Sequence, residues 1–335
     1  MHYNNIIIKN ISIYHPLRKV TNDEIILHFK NQNLEIEGLL NHLGREIRYK
    51  ADDSETSLSM AENVACKVIA SSNIQAEDIG LLFYVSDTPE YLVPTNSLRL
   101  HNILGTINAH INMDINANCI GMLAALDNAQ IYLRTKNIKY GLVIGSVLLS
   151  NIAQPNDTVA FGTFGDGACA ILLENINSDK EFGFIGSNYF TDSSLSEMIQ
   201  YPICGVSSIA NEDVKYLEKK LRFTPHDVSF FSDKWKELII NMLNMHNINI
   251  NNIQHYLFSQ FSKAEIKDTL DKLGIPFKRT TFVGDKYGYT GCTSPIFALK
   301  EAIDNNSISL NEYIVFCSVG AGYNMCSLLY KNMEV

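Results

Sequence analysis

Apolar and polar positions follow two rhythms along this chain. Near-continuous apolar runs at Ile79-Gly-Leu-Leu-Phe-Tyr-Val85 and Tyr140-Gly-Leu-Val-Ile-Gly-Ser-Val147 predict strands covered on both faces. Between such runs lie amphipathic stretches at helical spacing. Ser57 to Ala70, for example, places Leu58, Ala61, Ala65 and Val68 on one face. The alternation continues throughout and implies an α/β architecture. The first residues, Met1-His-Tyr-Asn-Asn-Ile-Ile-Ile-Lys9, suit an opening strand, because Lys9 interrupts the apolar stretch too soon for a signal peptide. No apolar run reaches the ~18 residues of a membrane span, so a soluble, cytoplasmic protein is expected.

The same pattern occurs twice. Cys119-Ile-Gly-Met-Leu-Ala-Ala-Leu126 opens a helix and is followed by the strand Tyr140 to Val147; Cys292-Thr-Ser-Pro-Ile-Phe-Ala-Leu299 opens another and is followed by Tyr313 to Val319. Each copy closes on a glycine-rich turn feeding a strand, Gly165 to Leu173 and Gly320 to Leu329. Helix, strand and turn recur in one order at nearly one spacing, which implies duplicated halves, 1–175 carrying Cys119 and 176–335 following it.

Composition and charge narrow the function. At 335 residues the chain is long for one simple domain, and 46% hydrophobic with 19% charged content suits a large buried core. A net charge of −9 with singly scattered basic residues excludes a nucleic-acid surface. The seven cysteines, Cys66, Cys119, Cys169, Cys204, Cys292, Cys317 and Cys326, contain no Cys-x-x-Cys pair. An odd count in apolar surroundings points to reduced thiols, with neither a disulfide framework nor a metal site.

Chemistry concentrates at Asp114-Ile-Asn-Ala-Asn-Cys-Ile-Gly-Met. A strand, Ile111 to Ile115, runs through a tight connection into a helix whose first residue is about Cys119. Unpaired N–H groups and the positive end of the helix dipole would there favour a thiolate, a competent nucleophile towards thioesters. From spacing alone, a small buried residue at a helix start is the favoured reading, because free cysteine is commonly buried.

Asn116-Ala-Asn-Cys-Ile-Gly121 resembles the Asn-Ala-Ala-Cys-Ser-Gly segment of β-ketoacyl-acyl carrier protein synthase III, a member of the thiolase superfamily. Phe164-Gly-Asp-Gly-Ala168 is similar to that family's Phe-Gly-Asp-Gly-Ala turn, and Ser318-Val-Gly-Ala-Gly-Tyr323 to its C-terminal glycine-rich loop. The stretch from Ala76 to Gly105, with Tyr91-Leu-Val-Pro-Thr, also tracks the family. The resemblance implies a thiolase fold, five-layered αβαβα with two duplicated halves, and a homodimer with a tunnel for a pantetheine arm. It implies that Cys119 takes the acyl group, with the amides of Cys119 and Ala321 as the oxyanion hole that tetrahedral intermediates require. Substrates would be acyl carrier protein or coenzyme A thioesters, with no cofactor and no metal.

Two motifs depart from the family. Its His-Gln-Ala-Asn reads Ser259-Gln-Phe-Ser262 here, with Ser259 in place of the histidine. Its Tyr-Gly-Asn-Thr-Ser reads Tyr287-Gly-Tyr-Thr-Gly291, with Tyr289 in place of the asparagine. In the family that pair stabilises the enolate formed when a malonyl thioester loses carbon dioxide. Loss of one comparable donor costs ~10²–10³ in rate, so decarboxylating condensation is not expected. Other histidines offer no substitute. His255 lies ~13 Å from Ser259 along its strand, His101 reads as helix packing, and His226 lies in a loop that can reach a site. Cys292 reads as structural. Near the expected nucleotide end, His42 stands where the family places an arginine, so a carrier-protein donor is as compatible as free coenzyme A. The expectation is an acyltransferase of specialised metabolism, working through Cys119 without decarboxylation. The alternative is a catalytically weak subunit completing a heterodimer with a related synthase.

Overall fold

A computed structural model describes residues 2–333. Five strands, β1 (Tyr3–Tyr14), β2 (Ile79–Val85), β3 (Ile111–Ile115), β4 (Tyr140–Val147) and β5 (Gly167–Ser178), form a sheet in the order β1-β5-β4-β2-β3. Four more, β6 (Gly183–Thr191), β7 (Ile253–Phe258), β8 (Tyr313–Gly320) and β9 (Asn324–Lys331), form a second in the order β7-β8-β9-β6. In the first sheet β4, β2 and β3 run parallel, and β5 is antiparallel to both neighbours. In the second β7 and β8 run parallel, and β9 is antiparallel to both neighbours. The second sheet thus repeats the first without a counterpart of β3.

The apolar runs explain the layering. Along β2, Leu81, Phe83 and Val85 enter the central core, while Ile79, Leu82 and Tyr84 enter an outer core on the opposite face. A strand can be apolar at every position only when both faces are covered. Six helices supply the cover: α1 (Ser57–Ala70), α2 (Asn96–Leu104), α3 (Gly121–Thr135), α4 (Phe230–Met245), α5 (Lys263–Leu273) and α6 (Ser294–Asp304). Helices α3 and α6 lie between the sheets, α1 and α2 cover the outside of the first, and α4, backed by α5, covers the second. The result is the five-layered thiolase fold.

Local signals are mostly obeyed. Thr56 caps α1 by accepting the Ser59 N–H at 3.1 Å. The buried stripe of α1 runs through Met60, Ala61, Val64, Ala65 and Val68; Leu58 stands at its margin rather than within it. Among the described residues no helix is long and apolar enough to cross a membrane.

Candidate active site

Strand β3 delivers the chain to Asn118–Ile120, a single 3-10 turn, and α3 begins only at Gly121. Cys119 therefore sits in the turn ahead of the helix, not at its first position. The turn needs a left-handed residue, and Asn118 supplies it at φ +50°, a conformation asparagine tolerates better than other side chains. Asn116 Oδ1 accepts the Asn118 N–H at 3.0 Å. Asn118 Nδ2 donates to the Ala321 carbonyl at 3.2 Å, and Ser318 Oγ donates to the Cys119 carbonyl at 3.0 Å. The cysteine-bearing turn of the first half is thereby tied to the glycine-rich loop of the second. A Cβ on Gly121 would stand 2.7 Å from Val85 Cγ1, so only glycine lets the turn pack on β2.

The turn opens on a cavity of about 140 Å³ whose wall includes Cys119, Tyr289, Ala321 and Asp87, with Phe164, Phe223, Phe231 and Phe261 among its apolar surfaces. The Ala321 N–H and the Tyr289 hydroxyl lie on the Cys119 side of this cavity and favour the charged form of its sulfur. Ser259 Oγ lies 3.1 Å from the Tyr289 hydroxyl, sealed from solvent behind that ring. Ser259 thus meets the cavity only through the Tyr289 hydroxyl. Tyr289 is held by its backbone, donating to Thr163 O at 2.9 Å and accepting from the Gly165 N–H at 3.0 Å. Its ring packs against Phe164 and Phe261. Next to Gly165, Asp166 accepts from Ala51 N–H, Ser150 N–H and Ser150 Oγ; it is a structural acid.

Enclosure dominates the electrostatics. Burial, followed by the charge of Asp87, pushes the Cys119 thiol up to about 12 despite hydrogen bonds from Tyr289, Ala321 and its own N–H. The sequence suggested a thiolate at this turn; loss of water outweighs the backbone donors, and the resting group is a thiol. Tyr289 is raised well above the ordinary phenol value, chiefly by burial, so it stays a neutral donor. Asp87, lifted by burial to about 6, is the residue that sequence reasoning missed. Its setting, Ser86-Asp-Thr-Pro89 after a strand, has the polar composition of an ordinary loop.

The remaining candidates fall into place around this core. His255 is buried on β7 with Nε2 2.8 Å from Thr281 Oγ1, and burial lowers it to about 4. His101 is on α2 and does not line the cavity. His42 faces outward, 3.3 Å from Glu265. Cys292 is sealed beneath the site. His226, in a loop able to reach a site, contacts the cavity wall. Its Nδ1–H donates to Thr224 O at 2.6 Å, which leaves Nε2 to accept from the hydroxyl of Tyr323 on the cavity wall.

Comparison with known proteins shows the family. Two family models match, 3-oxoacyl-[acyl-carrier-protein] synthase III over residues 113–193 and its C-terminal counterpart over 243–332, together just over half of the chain. The chain belongs to the ketoacyl synthase III family. It is 25% identical to the β-ketoacyl-[acyl-carrier-protein] synthase III of Ehrlichia chaffeensis, across 97% of this chain and 98% of that one. The enzyme of the same name from Wolbachia sp. subsp. Brugia malayi is 27% identical, across 95% and 96%. The crystal structure of the Aquifex aeolicus synthase III superposes with a TM-score of 0.84 at 22% identity, covering 98% of this chain and all of that one. Ketoacyl synthase III proteins are acyl-transferring condensing enzymes that use thioesters and need no cofactor.

Proposed function

We propose that this ketoacyl synthase III-like protein takes an acyl group from a carrier-protein or coenzyme A thioester onto Cys119. It then passes the group to an acceptor without decarboxylating a malonyl unit, in specialised metabolism. One observation carries the reading: Cys119 opens on a largely apolar cavity whose wall also holds Ala321 and Tyr289. A cysteine so placed can attack a thioester carbonyl whose developing oxyanion finds backbone donors. Tyr289 lies on the cavity wall with Cys119 and Ser259 lies behind it, and the two hydroxyls supply no imidazole, which supports transfer over condensation. The test is intact-mass measurement after exposure to a panel of acyl thioesters. One acyl mass should be added, and Cys119→Ala should abolish it. Acylation persisting in that variant would place the nucleophile elsewhere.

A second reading, a weakly catalytic subunit of a heterodimer, is favoured by the thiol held at about 12. Either reading includes a partner chain. Strand β3 is an open sheet edge, and Leu92, Val93, Leu98 and Ile107 lie exposed close to it in sequence. Such a surface supports pairing with a second copy or a related synthase. Sedimentation should give a dimer, twice the 37.6 kDa of one chain, and a stable monomer at micromolar concentration would count against self-association.

A further inference from the structure

Asp87 borders the cavity together with Cys119 and Tyr289, and nothing in the protein uses it. Its Oδ1 is sealed from solvent and has no hydrogen-bond partner. Among the described residues no lysine, arginine or histidine pairs with it. Two other acids of the first half, Asp114 and Asp166, behave differently. Asp114 accepts from the backbone N–H groups of Asn96 and Ser97 at 2.8 and 2.7 Å, and Asp166 accepts three bonds. The backbone on either side of Asp87 is fixed: Ser86 Oγ accepts the Thr88 N–H at 3.0 Å, and Thr88 Oγ1 accepts the Leu148 N–H at 2.8 Å. Across the site, Oδ2 lies 3.9 Å from where a Cβ on Gly291 would stand. A carboxylate held rigidly and left unpaired destabilises a fold, and such groups concentrate where chemistry needs them.

We infer that Asp87 is the general base and acid of acyl transfer at Cys119. The inference rests on the acyl-transfer reading above and names the proton carrier that reading lacks. In loading, the Asp87 carboxylate takes the thiol proton as Sγ bonds to the thioester carbonyl carbon. The donor's C–S bond then breaks, and its departing sulfur takes the proton back from Asp87. In transfer, Asp87 accepts the proton of an alcohol or amine acceptor as the new C–O or C–N bond forms. The bond from the acyl carbon to Sγ breaks, and the sulfur is reprotonated. Both halves are proton-neutral and need no further reactant. A carboxyl lifted to about 6 is ionised at neutral pH yet basic enough to serve.

The other titratable groups on the cavity wall are Cys119, Tyr201, Tyr289 and Tyr323, and burial raises all of them above their ordinary values, as it does the enclosed Cys292. His226, bonded to Tyr323, is the rival proton acceptor beside the cavity. The experiment follows acylation of Cys119 by octanoyl coenzyme A under single-turnover conditions from pH 5 to 9, read by intact mass. The parent rate should rise through about pH 6. Asp87→Asn should lose that rise and fall by ~10²–10⁴-fold. His226→Gln should keep the rise, and Asp87→Glu should recover part of the rate, which shows that the site tolerates substitution. An Asp87→Asn protein that loads nearly as fast with the parent's pH profile overturns the inference while the acyl-transfer reading stands. So does loss of the rise in His226→Gln alone. A parent protein that no thioester acylates sinks the acyl-transfer reading itself.

Discussion

Cys119 and Cys292 occupy the same place in the two halves. Each sits in a 3-10 turn ahead of a central helix, and each follows a residue at φ +50°, Asn118 in one half and Gly291 in the other. Each also lies the same distance along the chain from the next strand, at Tyr140 and Tyr313. Yet Cys119 opens on the cavity, whereas Cys292 is fully enclosed, near the position a Cβ on Gly121 would take. The scaffold therefore builds a cysteine-bearing turn twice, and access decides which one can react. Turn geometry alone does not make a nucleophile.

The largest expected effect breaks this pair apart. Cys119→Ala should remove all acylation, whereas Cys292→Ala should leave an acyl group on Cys119 and lower stability by about 1 kcal/mol through a small cavity. Intact mass and thermal unfolding read the two outcomes. Acylation that vanishes with Cys292 instead would reverse the assignment.

The halves also differ in what they contribute to the site. The first supplies the sulfur and Asp87, and the second brings Ser259 and Tyr289 to it across the glycine-rich loop. Introducing Ser259→His and Tyr289→Asn together should give measurable carbon dioxide release from malonyl carrier protein, where the parent is expected to give almost none. The parent deficit is on the order of 10²–10³ for one missing donor. The single variants should do less for a steric reason. Ser259 has no exposed surface, so a lone histidine overpacks the site, and loss of the Tyr289 ring is what makes room. Brisk, Cys119-dependent condensation by the parent would return it to the ordinary synthases.

This division was only partly legible beforehand. The duplicated fold was, because β2 and β4 are apolar on both faces and a strand so written must lie between helical layers. Cys119, Ala321, Ser259 and Tyr289 were reachable as candidates because they fall in linear motifs, and the cavity does gather Cys119, Tyr289 and Ala321. Two things were not legible. The protonation state of Cys119 depends on how completely the second half closes over it, a long-range property that no local spacing records. Asp87 carries no motif, and its meaning lies in the partners it fails to find.

The two halves meet the cavity again at Asp87 and Phe261. Val85 pairs with Gly145 and Phe258 with Cys317, so, with Tyr140 matched to Tyr313, Asp87 and Phe261 occupy corresponding positions. One half places an aromatic ring there and the other an acid, and the acid must destabilise the fold. Its pKa is raised from 3.8 to about 6, so the folded protein holds the proton more tightly than the unfolded chain. That contribution is fully present below about pH 4 and is lost as pH rises through about 6. A shift of roughly two units corresponds to as much as about 3 kcal/mol. Asp87→Asn keeps the shape and removes the charge. It should therefore unfold at a higher denaturant concentration than the parent at pH 8, with the advantage shrinking towards zero at pH 4. A variant that is slower in acylation yet more stable at alkaline pH is what an acid retained for chemistry produces. A variant less stable than the parent at every pH would instead make Asp87 a structural residue, like Asp114 and Asp166.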